Sequence, residues 1–104
     1  MADEPRRYSL HADLCEMLGS RNVYFQPPES FKLNYPCIVY ELSRRNQRRA
    51  DNRLYTLTSG YTVTYISSNP DDSFPERLAA LEKCSFDRRF VSDGLYHDVF
   101  TLYY

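Results

Sequence analysis

Leu54-Tyr55-Thr56-Leu57-Thr58-Ser59-Gly60-Tyr61-Thr62-Val63-Thr64-Tyr65-Ile66 alternates large apolar and small polar side chains with a period of two. Tyr55, Leu57, Tyr61, Val63 and Tyr65 share one parity, whereas Thr56, Thr58, Thr62, Thr64 and Ile66 share the other. The phase survives Gly60, so the stretch predicts one long β-strand, kinked or bulged at that glycine. A strand with one apolar face requires a sheet and a layer to cover it.

On the C-terminal side, the turn cluster Ser67-Ser68-Asn69-Pro70-Asp71-Asp72 ends this strand. Ser73 and Glu76 have capping-box spacing, and Phe74, Leu78 and Leu81 follow at i, i+4 and i+7. A short helix to about Lys83 is expected. Cys84, Phe86, Arg88 and Phe90 then alternate, Ser92-Asp93-Gly94 offers hairpin chemistry, and Tyr96 to Tyr104 is β-prone. Two more strands follow from that pattern.

On the N-terminal side, Ser43 to Arg53 reads SRRNQRRADNR, with Ala50 its one apolar residue. It should be an exposed loop or the tip of a projecting hairpin. Tyr35 to Leu42 precedes it as a strand that is apolar on both faces until Glu41, hence covered on both sides. Val23-Tyr24-Phe25 has room for a further short strand before Pro27-Pro28 enforces an irregular, stiff segment to about Asn34. Leu10, Leu14, Met17 and Leu18 stack on one face of a first helix. Pro5 is tolerable in its first turn, and Gly19 is placed to stop it in a left-handed conformation. The expected fold is α+β: a single mixed or antiparallel sheet of about four to five strands flanked by two helices, in the order α-β-β-α-β-β, over residues 1–104 as one domain.

The bulk composition is that of an ordinary folded chain, 42% hydrophobic and 26% charged. A formal charge of -1 gives no global attraction to nucleic acid or to anionic membrane. Ten tyrosines and six phenylalanines without a tryptophan suit half-buried sheets and protein interfaces alike. Cys15, Cys37 and Cys84 are too scattered and too few for a disulfide framework, and read as small buried side chains of a protein folded under reducing conditions. With no signal-like N-terminus and no apolar run near ~18 residues, a soluble protein made in the cytoplasm is expected.

Chemistry-bearing constellations are not visible. His11 sits in the first helix pattern and His97 on the last strand, where neighbouring Asp98 points to the opposite face. Paired cysteines, HxxxH spacing and an acidic calcium loop are absent from the sequence. Asp71, Asp72 and Glu76 are placed as capping and dipole partners of the second helix. Neither catalysis nor a cofactor nor a metal is expected. The one concentrated feature is basic: Arg44, Arg45, Arg48, Arg49 and Arg53. It is open to three readings, namely a solvated loop, a contact with acidic residues of a neighbouring subunit, or phosphate contact.

Several strings in fixed order carry a family resemblance. They are Asn22-Val23-Tyr24-Phe25-Gln26-Pro27-Pro28-Glu29-Ser30, Tyr35-Pro36-Cys37-Ile38-Val39-Tyr40, Ala50-Asp51-Asn52, Asn69-Pro70-Asp71-Asp72-Ser73, Arg88-Arg89-Phe90, and His97 through Tyr104. The pattern, from about Leu10 to Tyr104, resembles the small tail-completion or tail-terminator proteins of long-tailed bacteriophages and prophages. The resemblance implies a virion protein, not an enzyme, that forms a ring, commonly of six subunits, at the head-proximal end of the tail tube. Its partners would be copies of itself, the tail tube protein and the head-completion or connector proteins, with passing contact to DNA in the lumen and none to membrane. It would stop tube polymerisation and join tail to head. Two other roles fit the same residues: a head-completion adaptor of the neck, and a nucleic-acid-binding regulator using the arginine segment. The arginine content of Ser43 to Arg53 departs from the mixed polar residues expected of such relatives.

Overall fold

The computed structural model describes residues 6–50 and 53–104, with side chains described for residues 7–43 and 60–104. Its elements are α1 (Arg6–Leu18), β1 (Val23–Phe25), β2 (Cys37–Ala50), β3 (Arg53–Ser67), α2 (Phe74–Ala79), β4 (Cys84–Ser92) and β5 (Leu95–Tyr103). They form one five-stranded mixed sheet in the order β1-β2-β3-β5-β4, with only β1 and β2 parallel. The α+β class and the element order expected from the sequence are both present, and the apolar run at Val23 is indeed an added short strand. Pro5 lies outside the described residues.

Register explains which residues form the core. Ile38 faces Tyr65, Tyr40 faces Val63, Val63 faces Phe100 and Tyr61 faces Leu102 across neighbouring strands, so all lie on one face. Leu10 and Leu14 of α1 and Phe74 and Leu78 of α2 pack on that same face and are buried with them. Each such side chain contributes roughly 1.5–3 kcal/mol by leaving water. Both helices therefore cover one side of the sheet. Gly19 ends α1 as expected, at φ 77°, with its N–H donating to Cys15 O at 2.9 Å.

The opposite face also buries apolar groups, because Cys37, Ile66 and Val99 are each at most 6% exposed. Its cover is the proline-bearing segment between β1 and β2. Pro27, Phe31 and Leu33 line one side of a shallow cavity whose other side is Val39, Thr64 and Ile66 of the sheet. The segment is pinned by the Tyr24–Phe31 ring contact at 5.2 Å and by the Asn34 amide donating to Tyr24 Oη at 3.3 Å. This explains why β2 reads as apolar on both faces. It begins at Cys37 rather than Tyr35, since Pro36 has no N–H to give a ladder.

Three local expectations need correction. Ser73 sits in the right-handed helical region and makes no side-chain cap; the Phe74 amide donates instead to Asp72 Oδ1 at 3.0 Å. Asp72 Oδ2 also accepts from Tyr65 Oη and Ser67 Oγ, so the carboxylate joins the helix start to the end of β3. Helix α2 stops at Ala79, short of Lys83, and Lys83 adopts φ 65° in the turn that leads to β4. The alternation of Cys84, Phe86, Arg88 and Phe90 is broken by a bulge between Phe86 and Arg88, which puts Phe86 and Phe90 on opposite faces. Asp93 and Gly94, at φ 53° and 74°, make the expected tight turn between β4 and β5.

Asp72→Ala is expected to destabilise the fold by about 2–4 kcal/mol, since it removes the helix cap and leaves the buried Tyr65 hydroxyl without its acceptor. Ser73→Ala should stay within about 0.5 kcal/mol of the parent. Urea unfolding of the two variants distinguishes which residue caps α2; equal losses would contradict the assignment to Asp72.

Candidate subunit interface

Strand β3 is supported by β5 only as far as the pair Gly60↔Tyr103. Strands β2 and β3 pair with each other beyond it, from Arg45↔Ser59 to Ala50↔Arg53. The two strands leave the sheet together as an arm. At about 3.3 Å per residue, Ser43 to Ala50 reaches about 26 Å, and the chain measures 51 × 28 × 24 Å along its principal axes. The hairpin alternative expected for Ser43 to Arg53 is thus the observed backbone course, with paired strands in place of a loop. The expected irregularity at Gly60 lies across from it: β2 bulges between Leu42 and Arg44, and Ser43 Oγ donates to Gly60 O at 2.8 Å. Arg44, Arg45, Arg48, Arg49 and Arg53 all fall on this arm by backbone position, and their side chains lie outside the described residues.

The sheet has a second unpartnered border at β4, whose side chains are exposed along nearly its whole length. Phe86, Phe90 and Val91 are 52%, 41% and 61% exposed there. Phe86 stands edge-on to Phe100, and Phe90 stacks on His97 at 4.6 Å, so both rings are held in place at an open edge. Such an edge presents unpaired backbone groups for strand addition. Alternation alone does not reveal this exposure, because an edge strand and an inner strand share it; the charged run Asp87-Arg88-Arg89 was the available hint.

The polar groups of the body are tied into the fold. Asp98, 4% exposed, accepts from Arg89 Nε at 2.7 Å and Nη2 at 3.1 Å, while His97 Nδ1 lies 3.1 Å from Leu95 O on the other face. The Asp98 carboxylate raises the pKa of Arg89 further above its ordinary value. Burial pushes the Cys37 thiol up to about 12 and also raises Cys84; all three cysteines are free. Burial works against the Asp72 charge, yet the bonds from Tyr65, the Phe74 amide and Ser67 outweigh it and hold its carboxyl below the ordinary value. Among the described residues no group of three His, Cys, Asp or Glu is placed to hold a metal ion. Among them also, no helix is long and apolar enough to cross a membrane.

His11 Nδ1 lies 2.7 Å from Tyr40 Oη, which also accepts from Arg7 at 3.3 Å. Burial, then the Arg7 charge, holds the His11 pKa below 6.5. The folded state binds this proton less readily than the unfolded chain, so the contribution is complete above the unfolded pKa of 6.5 and is lost as pH falls through the lower folded value. Stability should drop as the pH falls below 6.5, and His11→Asn should flatten that slope. Urea midpoints across this range test it; an unchanged slope in the variant would rule His11 out as its source.

A groove of about 620 Å³ runs between α1, α2 and the end of β5. Its lining includes Met17 and Leu81 with three acids, Asp13, Glu16 and Glu82, against one cation, Arg77.

Fold and surface together define an α+β domain with one helical face, an open strand edge and a paired arm that leaves the sheet. No protein-family model, curated protein or solved structure matches the chain.

Proposed function

We propose that the chain is a structural virion protein of a long-tailed phage. It is a tail terminator whose copies close into a ring at the head-proximal end of the tail tube, stop its polymerisation and join it to the head connector. The observation that carries this reading is the arm. Six residue pairs, from Arg45↔Ser59 to Ala50↔Arg53, lie beyond the last pair that β5 supports. A two-stranded hairpin gains little stability by itself, so an arm of this length is suited to contact outside its own domain. The exposed β4 edge supplies a second surface for copies or for the tube. Surfaces that differ in this way make head-to-tail contacts, which close into rings when the rotation permits. The sequence resemblance, over most of the chain, points to the same role.

Electron microscopy of particles made without this protein tests the proposal. Overlong tails are expected. Tails of normal length beside unattached heads would move the protein to the neck as a head-completion adaptor, and tails of normal length on filled heads would reject both roles.

A further inference from the structure

We propose that the arginine-rich arm of one copy seats in the groove between α1, α2 and β5 of the next copy. This rests on the ring reading above and names the two surfaces that meet. Charge is the first ground. Residues 43–53 hold five arginines and one aspartate, a net +4; since the whole chain is -1, the remainder carries -5. Within that acidic remainder the groove gathers Asp13, Glu16 and Glu82 around an apolar floor.

The helix geometry adds a second ground. The groove lies along the last turns of α1, which has no basic residue in its final turn. The carbonyl end of a helix carries partial negative charge and favours cations. Arg77 already donates to Met17 O at 3.3 Å, which shows the polarity of the position, and further guanidinium groups would meet the same field.

The third ground is connectivity. Tyr103 pairs with Gly60 at the base of the arm and also lines the groove. The arm then continues along the strand direction, away from the body, so it does not turn back into its own groove. A cationic arm that runs on from the strand and an acidic groove beside its base are complementary between copies. That contact is heterologous, as a ring requires. Guanidinium forks suit the carboxylates in geometry as well as in charge.

The test uses the full chain in three forms: Glu16→Lys with Glu82→Lys, Arg48→Glu with Arg49→Glu, and all four changes together. Self-association is followed by sedimentation velocity at low salt, and capping is scored as the fraction of purified tail tubes that carry a ring. Thermal melts check that each variant is folded; Glu16 and Glu82 are exposed, so their substitution should permit it. Each double variant is expected to associate at least about tenfold more weakly, and the four-fold variant to recover most of that loss, because opposite charges face each other again. Parent association should also weaken as salt rises. Groove variants that associate and cap like the parent would overturn the docking while leaving the terminator reading intact. A parent that neither associates nor caps tubes would sink both. Loss of duplex DNA binding in the arm variant, with association unchanged, would overturn the docking and assign the arm to nucleic acid.

Discussion

Phe100→Ala is expected to lower the unfolding free energy by about 4 kcal/mol, with a melting point lower by on the order of 20 °C. Phe100 is completely buried on β5, the strand between β3 and β4. Its ring meets Phe86 edge-on at 5.5 Å, and its backbone pairs with Val63 on one side and Phe86 on the other. Truncation removes the transfer free energy of the ring and leaves a cavity bounded by strands on both sides, which have little freedom to collapse. Total stabilities of small domains are about 5–15 kcal/mol, so the loss removes a large share of the stability of the fold. Val91→Ala provides the contrast: the side chain is 61% exposed, and its loss should fall within about 0.5 kcal/mol. Urea denaturation of both variants checks the pair. A Phe100→Ala loss below about 1.5 kcal/mol would mean that the ring is not the centre of the core.

The alternation from Leu54 to Ile66 was enough to place β3, and the buried parity Tyr61, Val63 and Tyr65 is the one it indicates. Gly19 and Asp93-Gly94 were legible because a positive φ restricts the choice of residue. What failed were features decided by non-local partners. Asp72 and Ser73 are equally good caps in sequence; Tyr65 and Ser67 select Asp72 by bonding to its second oxygen. The bulge after Phe86 leaves no compositional mark, yet it turns Phe90 onto the His97 face. In the arm, an almost wholly polar run is paired because β3 continues beside it, a fact held in Leu54 to Ser59 rather than in the arginines. The candidate interface was accordingly legible as a charged segment and illegible as a shape. The acidic groove was harder still, since Asp13, Glu16 and Glu82 come from two separate parts of the chain.

Removing residues 44–59 and changing Ser43 to Asn is expected to abolish ring formation and tube capping while leaving the body folded. The deletion joins Leu42 to Tyr61, which already face each other across β2 and β3, through Asn-Gly. That dipeptide favours the tight turn whose twist matches flanking strands. The core side chains among the described residues all lie outside the removed stretch and are kept, so stability should stay within about 1 kcal/mol of the parent. A two-stranded ribbon contributes little to a fold by itself. Circular dichroism melts report on the body, and electron microscopy of tube preparations reports on capping. An unfolded deletion variant would place the arm in the folding nucleus. A folded one that still caps tubes would move the contact to the exposed β4 edge, where Phe86→Ser and Val91→Ser would then be the disabling changes.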